Sequence, residues 1–239
     1  MEQARILENY LEVKRRIAFA AETAGRDPAA IKIVVVTKGH PLEVIREAFA
    51  SGIRIFGENY VDEGVAKLQA LQLPGVEWHM IGHVQSRKAR TVCKFFDSLH
   101  SLDSEKLARR LDSFSAELDR KMPVFLECNV SGEASKFGLP AWNESGWESL
   151  IPLIRSITGS SNLRMQGLMT MAPYSIDPED SRPYFQRLRE FSQFLERRIP
   201  DARFDELSMG MSGDFEAAVE EGATIVRIGT AILGSRPTF

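Results

Sequence analysis

Lys38 is the residue in this sequence best placed for covalent chemistry. It ends the run IKIVVVTK, whose Ile and Val residues are typical of a strand buried on both faces. Most lysines at a strand end extend into solvent. A lysine that is withdrawn from water beside a second cation, such as Arg227, has its ammonium form disfavoured and becomes a nucleophile for an aldehyde. Residue type and position therefore leave two interpretations open, in which Lys38 is either a solvent-exposed lysine or a nucleophile for an aldehyde.

Two loops rich in Gly, Ser and Thr could bind an anion. They are LSMGMSGD (207–214) and RIGTA (227–231), and each leads into a helix start or a turn with free backbone N–H groups. The alternative interpretation is a pair of tight turns with helix caps. A phosphate cradle facing a Schiff-base lysine would describe a phosphorylated aldehyde, either pyridoxal phosphate or a sugar phosphate.

Short apolar runs alternate with amphipathic stretches along the chain, and this alternation predicts parallel strands with helical crossovers. The pattern favours an α/β fold, a single (β/α)8 TIM-type barrel over residues 1–239 with an extra N-terminal helix from about Glu2 to Ala24. An open doubly wound sheet is the alternative. The predicted strands are Ile31–Thr37, Ile53–Phe56, Val76–Ile81, Phe95–Leu99, Pro123–Val130, Leu163–Met169, Phe204–Ser208 and Thr224–Ile228.

In a closed barrel the first and last strands are neighbours, and the functional face lies at the carboxyl ends of the strands. Lys38 would then face the two Gly-rich loops across the barrel mouth. Polar residues collect at this end, among them Asn59, His79, His100, Asn129, Ser208, Ser212, Arg227, Gly229 and Thr230.

Composition places the chain among globular proteins with a sizeable core. It has 239 residues, of which 44% are hydrophobic and 26% charged, and its net charge of −3 favours neither nucleic acid nor an anionic membrane. Cys93 and Cys128 lie in apolar surroundings and are predicted to be buried free thiols. The N-terminus lacks the apolar segment of a signal peptide, and no run is long enough to span a bilayer, so the cytoplasm is the expected location.

Several segments resemble the pyridoxal phosphate homeostasis protein family, whose barrel is similar to that of alanine racemase. They span nearly the whole chain after the first helix. The segments are VVVTKGHP (34–41), FGENYVDE (56–63), WHMIGHVQSRK (78–88), NVSGEASKFGL (129–139), LRMQGLMTMAP (163–173) and LSMGMSGDFEAAVEEGATIVRIGTAILGSRP (207–237).

This resemblance implies a binding site for pyridoxal 5′-phosphate (PLP). Lys38 would form the internal aldimine, and Arg227 would lie beside the pyridine nitrogen. Ser208, Gly229 and Thr230 would belong to the phosphate cradle. Asn59 would lie close to the cofactor, with Met209 and Ser212 near the phosphate loop. The resemblance also implies a monomeric or weakly associating protein, with PLP-dependent apo-enzymes as possible partners and neither nucleic acid nor a membrane among them.

Arg227 indicates what kind of PLP protein this would be. Two neighbouring positive charges repel, so an arginine disfavours protonation of the pyridine nitrogen and weakens the ring as an electron sink. Alanine racemases have a second domain that supplies a tyrosine, and this chain is expected to lack one because it ends at Phe239. We therefore expect binding, storage or delivery of PLP with little or no turnover. The alternatives are a PLP-dependent amino-acid racemase and, third, a sugar-phosphate Schiff-base aldolase.

Two departures from the family's usual residues are expected to affect the mouth of the site. Gly39-His40 replaces a more usual Thr-Lys pair, and Arg87 stands where asparagine is common. The i, i+4 spacing of His79 and His83 suits a metal on a helix, but Gly82 and the apolar context indicate a strand and a turn. No metal site is predicted.

Overall fold

Eight short apolar segments form parallel strands. Their side chains are buried on both faces of the sheet, since one face lies in the barrel interior and the other lies beneath the surrounding helices. The computed structural model describes residues 2–236, so Met1 and residues 237–239 of the predicted 1–239 domain lie outside the described residues. The strands are β1 (Lys32–Val36), β2 (Ile55–Glu58), β3 (Glu77–Met80), β4 (Ser98–Leu102), β5 (Met122–Asn129), β6 (Leu163–Met169), β7 (Glu206–Ser208) and β8 (Ile225–Ile228). A two-residue strand, Leu139–Pro140, extends the sheet beside β5.

The sheet closes into a barrel. Strand β8 pairs with β1 in parallel, with Val34 opposite Arg227. On the opposite side of the barrel β4 pairs with β5, with Leu99 opposite Val124, so that the strands form a closed ring. The predicted (β/α)8 barrel is confirmed, and the open sheet is excluded.

Helices surround the barrel and fill the crossovers. The first carries Ile6, Val13 and Ile17 into the core, which confirms the extra N-terminal helix. It contacts the last two helices and thereby covers the β7–β8 side of the barrel. The helices are α1 (Glu2–Thr23), α2 (Leu42–Ala50), α3 (Val61–Leu71), α4 (Ala89–Phe95), α5 (Glu105–Glu117), α6 (Trp147–Thr158), α7 (Arg182–Arg198), α8 (Phe215–Glu220) and α9 (Thr230–Leu233).

The fourth strand begins later than the prediction of Phe95–Leu99. Phe95 is the last residue of α4, and the Phe96 N–H still donates to the Val92 carbonyl at 3.0 Å. The apolar run continues from the helix into the strand, so hydrophobicity alone hides the boundary. As a consequence, His100 lies in the middle of β4 rather than at its end.

The barrel interior is only partly apolar. A small cluster of buried apolar side chains fills part of it, formed by Val34, Ile81, Phe125, Met169 and Ile225. Polar side chains from β3, β4, β7 and β8 are buried alongside this cluster. They connect to the site described next.

Candidate cofactor site

A cavity of about 420 Å³ opens at the carboxyl end of the barrel. Six of the residues predicted for the site line it, namely Lys38, Asn59, Ser212, Arg227, Gly229 and Thr230. Sequence reasoning missed the remaining lining residues, which are Val36, Ile81, Met171, Pro173, Tyr174, Ser175, Ser181, Met211, Gly213, Asp214 and Arg236. Five of these come from the segment that follows β6.

Lys38 lies in a tight turn that directly follows β1. The His40 N–H donates to the Thr37 carbonyl at 3.0 Å, which closes a four-residue turn around Lys38 and Gly39. Gly39 has a φ of +70°, a conformation that glycine adopts without steric cost. The half-buried Lys38 side chain extends from this turn to the cavity wall. The unusual Gly39-His40 pair therefore shapes the turn that carries the lysine.

Lys67 of α3 anchors this turn from beneath. Its buried Nζ donates to the Thr37 carbonyl at 2.6 Å and to Oε1 of both Glu58 and Glu63 at 2.7 Å. Glu58 also accepts from Thr37 Oγ1 at 2.5 Å, and Glu63 accepts from the Gly39 N–H at 2.6 Å. Both ends of the turn are thus tied to one lysine and two carboxylates.

The pKa of Lys38 is lowered, first because burial disfavours its ammonium form and next because the positive charge of Arg236 lies nearby. Glu58 and Glu63 oppose this shift. The expectation of a neighbouring cation is met by Arg236 and not by Arg227. No strand-end pattern pointed to Arg236, because it lies beyond the last helix of the barrel.

Arg227 forms the opposite wall. It is buried, and its Nη1 donates to the Ser208 carbonyl at 2.6 Å and to Ser208 Oγ at 2.7 Å. Its Nη2 donates to the Thr170 carbonyl at 2.8 Å. Burial lowers the pKa of Arg227 to about 10, against the opposing charges of Asp214 and Glu127, so the guanidinium remains a cation at neutral pH.

Ser208 and Met209, both predicted for the site, lie behind the cavity wall. Ser208 is fully buried, and its hydroxyl lies between Arg227 Nη1 and His100 Nδ1, 2.8 Å from the latter. Met209 is buried, and its N–H donates to the Ile225 carbonyl at 3.0 Å. Neither residue is among those that line the cavity. Ser208 therefore acts on Arg227 from the side that faces away from the cavity.

The two Gly-rich loops meet at one end of the cavity. Ser212 Oγ accepts the Ala231 N–H at 3.3 Å, which ties the loop after β7 to the first turn of α9. Within residues 2–236, no hydrogen bond engages the backbone N–H groups of Ser212 and Gly213. Thr230, as the first residue of α9, also has an N–H that the helix does not use. These groups can together surround an anion.

The residues of the cavity fit PLP. An amine, a guanidinium and a set of free N–H groups converge on one space, whose volume lies in the range of small-molecule sites. Asn59 contributes a buried Oδ1 for which the described residues provide no donor. A buried acceptor without a partner is costly and is expected to bind a donor from outside the chain.

The remaining residues that the sequence singled out do not line the cavity. Arg87 is exposed, in a short helical turn at Ser86–Lys88, and it does not line the cavity. His79 lies in β3, whereas His83 pairs with Asp103 at 3.0 Å. Cys93 and Cys128 are buried free thiols, as predicted. Among residues 2–236 no helix has both the length and the apolar character needed to cross a bilayer.

Comparisons with known proteins place these features in a family. The model of the alanine racemase N-terminal domain matches residues 9–237. The pyridoxal phosphate homeostasis protein of Pseudomonas aeruginosa is 42% identical over 231 residues, which cover 97% of this chain and 96% of that protein. The structure of PipY from Synechococcus elongatus with PLP bound has a TM-score of 0.81 and 35% identity, and covers 96% of this chain and 100% of PipY. An alanine racemase from Clostridium difficile, at 15% identity and a TM-score of 0.70, shares the fold over 98% of this chain and 58% of its own.

Proposed function

This chain belongs to the pyridoxal phosphate homeostasis protein family, and we propose that it holds PLP as a Schiff base on Lys38 in order to store or deliver the cofactor. One observation carries the assignment of residues. The cavity brings Lys38, Arg227 and the free N–H groups of two Gly-rich loops to the same space. The solved PipY complex shows that a relative with this fold binds PLP.

Each part of the cavity has a distinct task in this proposal. The lowered pKa of Lys38 increases the fraction of neutral amine, the form that attacks an aldehyde. Ser212, Gly213 and Thr230 would hold the phosphate through their free backbone N–H groups, with Gly229 beside them. Bound PLP would supply the aldehyde carbon.

Arg227 supports storage over turnover. Its guanidinium is a buried cation, and a cation beside the pyridine nitrogen disfavours ring protonation. The ring would then stabilise a carbanion poorly, as a holder of PLP requires. Racemase activity is the competing function, and the alanine racemase comparison supports the shared fold alone.

The proposal includes PLP-dependent apo-enzymes as recipients, a monomeric state and a cytoplasmic location. The family resemblance supports the first two. The two buried free thiols support a reducing compartment, in which unpaired cysteines persist.

Reduction with borohydride followed by peptide mass spectrometry tests the site. After incubation with PLP, we expect the reduced label on the Lys38 peptide and an absorbance band that Lys38→Ala abolishes. The matched control is Lys136→Ala, which removes another partly buried lysine at the same end of the barrel and is expected to retain the label on Lys38. Label on several lysines, or on none, would contradict the proposal.

Exchange of the α-proton of an amino acid with solvent distinguishes storage of PLP from racemisation. In deuterated water with L- and D-alanine, the PLP-loaded protein is expected to leave the α-proton in place. Rapid exchange that depends on Lys38 would instead favour the racemase.

A further inference from the structure

A continuous row of polar side chains crosses the barrel interior beneath Arg227. From Arg227 Nη1 it passes to Ser208 Oγ at 2.7 Å and on to His100 Nδ1 at 2.8 Å. His100 Nε2 lies 3.0 Å from His79 Nδ1, and His79 Nε2 lies 3.3 Å from the carboxylate of Glu77. Strands β8, β7, β4 and β3 each contribute to this interior row, which we define as these five residues.

The donors and acceptors of the interior row can be assigned from its ends. Arg227 can only donate, so Ser208 Oγ accepts from it and directs its own proton to His100 Nδ1. His100 then carries its proton on Nε2 and donates to His79 Nδ1. His79 in turn carries its proton on Nε2 and donates to Glu77. Every bond in the row points away from Arg227 and ends on a carboxylate.

Burial holds the centre of the row in its neutral form. His100 is fully buried, and this burial lowers its pKa well below the ordinary value. Positive charge on His79, Arg227 or Lys32 shifts it in the same direction. The His100 ring also packs against Phe125 from β5, with ring centroids 4.4 Å apart. His100 is therefore a neutral ring whose orientation is fixed by its packing against Phe125 and by its two hydrogen bonds.

The lower end of the row reaches the opposite face of the barrel. Glu77 and His79 line a second cavity of about 400 Å³ at the amino ends of the strands. The Glu77 side chain is largely exposed there, and the hydrogen bond from His79 lowers the pKa of its carboxyl. The row of hydrogen bonds that starts at Arg227 thus ends at a solvent-facing carboxylate.

We propose that His100 is a positioning residue that orients Arg227 toward the cofactor through Ser208, and that His79 fixes the tautomer of His100. The effect of this orientation on the ring of PLP rests on the proposed function. The hydrogen-bond row itself is independent of that function. Without the row, the Arg227 guanidinium would keep its contacts to the Ser208 and Thr170 carbonyls but lose the second acceptor of Nη1. Ser208 is accordingly assigned to the orientation of Arg227 and not to the phosphate.

Histidine tautomers in the protein without PLP test the row directly. Long-range ¹H–¹⁵N spectra of ¹⁵N-histidine-labelled protein are expected to show His79 and His100 protonated on Nε2, with His100 still neutral where an ordinary histidine is protonated, because burial lowers its pKa. His83, which pairs with Asp103 outside the row, serves as the reference resonance. A His100 protonated on Nδ1 would overturn the proposal, whether or not the protein binds PLP.

A pair of variants of similar shape tests the effect on the cofactor. In His100→Asn, Oδ1 can still accept from the Ser208 hydroxyl, whereas His100→Leu offers no acceptor. We expect His100→Leu to weaken PLP binding about tenfold and to shift the absorbance maximum, because one buried hydrogen bond is lost. His100→Asn and the control His83→Leu are expected to stay within about threefold of the wild type.

Equal PLP affinity and equal spectra in His100→Leu and the wild type would overturn the positioning role. A wild-type protein that takes up no PLP would refute the proposed function instead, and the tautomer measurement would still decide on the row. Thermal unfolding of each variant identifies any loss of binding that arises from misfolding.

Discussion

The two walls of the cofactor cavity are held by different kinds of interaction. Behind Lys38, the buried ammonium of Lys67 contacts two carboxylates and the turn itself. Behind Arg227, the neutral groups of Ser208 and His100 accept and pass on hydrogen bonds. No salt bridge to Arg227 is formed within the part of the chain that the structure describes.

This difference suits the task that each wall has in the proposed function. The wall of Lys38 needs a rigid turn beside an amine whose pKa is low, and a compact set of paired charges gives rigidity without adding a net positive charge. The wall of Arg227 needs a cation that keeps its charge, and neutral acceptors satisfy its donors without neutralising it. Removing part of the charged set should therefore cost far more than removing part of the neutral row.

Lys67→Met is the largest expected perturbation. It leaves Glu58 buried without its cation, and breaking a buried pair by removing one partner costs about 3–5 kcal/mol. Denaturant titration would measure this fall in the free energy of unfolding. Lys106→Met, at an exposed position of α5, is the matched control and should change stability by less than about 0.5 kcal/mol. Similar stabilities for the two variants would show that the charged set behind Lys38 is not costly to break, and the proposed difference between the two walls would then be wrong.

Glu127 provides a pH test on the wall of Arg227. Burial raises its pKa to about 7, with Asp103 acting in the same direction and Arg227 opposing, so the folded state holds this proton more tightly than the unfolded chain. Stability contributed by the protonated carboxyl is therefore present below about pH 4.5 and is lost as the pH rises toward 7. The full loss is on the order of 3 kcal/mol.

Glu127→Gln should abolish that loss. Its free energy of unfolding is expected to exceed that of the wild type increasingly between pH 5 and pH 8, as followed by denaturant titration across this range. Glu117→Gln, at an exposed helix end, is the control and should keep the wild-type profile. Parallel pH profiles for Glu127→Gln and the wild type would show that Glu127 does not titrate in this window.

Ser208→Ala tests the neutral row. It removes the bridge between Arg227 and His100 and leaves one donor and one acceptor without this partner, at a cost of about 1–2 kcal/mol. Thermal and denaturant unfolding would measure the loss, which should be smaller than that of Lys67→Met. Ser145→Ala, which removes an exposed hydroxyl near α6, is the control and should be close to neutral. A loss equal to that of Lys67→Met would show that the neutral row is as costly to break as the charged set.

The sequence was sufficient to predict the barrel, because a strand that is buried on both faces has a continuous run of apolar residues. It failed at Phe95 and Phe96, where a buried helix end runs directly into a strand. Lys38 and Arg227 could be found because each lies near the carboxyl end of a strand, in a segment that resembles a known family. The roles of Lys67 and His100 could not be predicted, because they depend on contacts across 30 and 108 residues of sequence, which only the register of the closed barrel determines.

Gly39→Ala gives the smallest expected effect and separates backbone geometry from charge on the wall of Lys38. The φ of +70° disfavours alanine by about 1 kcal/mol, and the added Cβ would lie 3.0 Å from Cδ of the flexible Arg236 side chain. Gly52→Ala is the matched control, because its φ is +90° and a Cβ there meets nothing within 4 Å. Both variants should lose similar stability in denaturant titration, but Gly39→Ala alone should slow incorporation of PLP at Lys38, since it displaces the cation that lowers the pKa of Lys38. Equal incorporation rates in the two variants would mean that the charged set holds the turn regardless of its glycine.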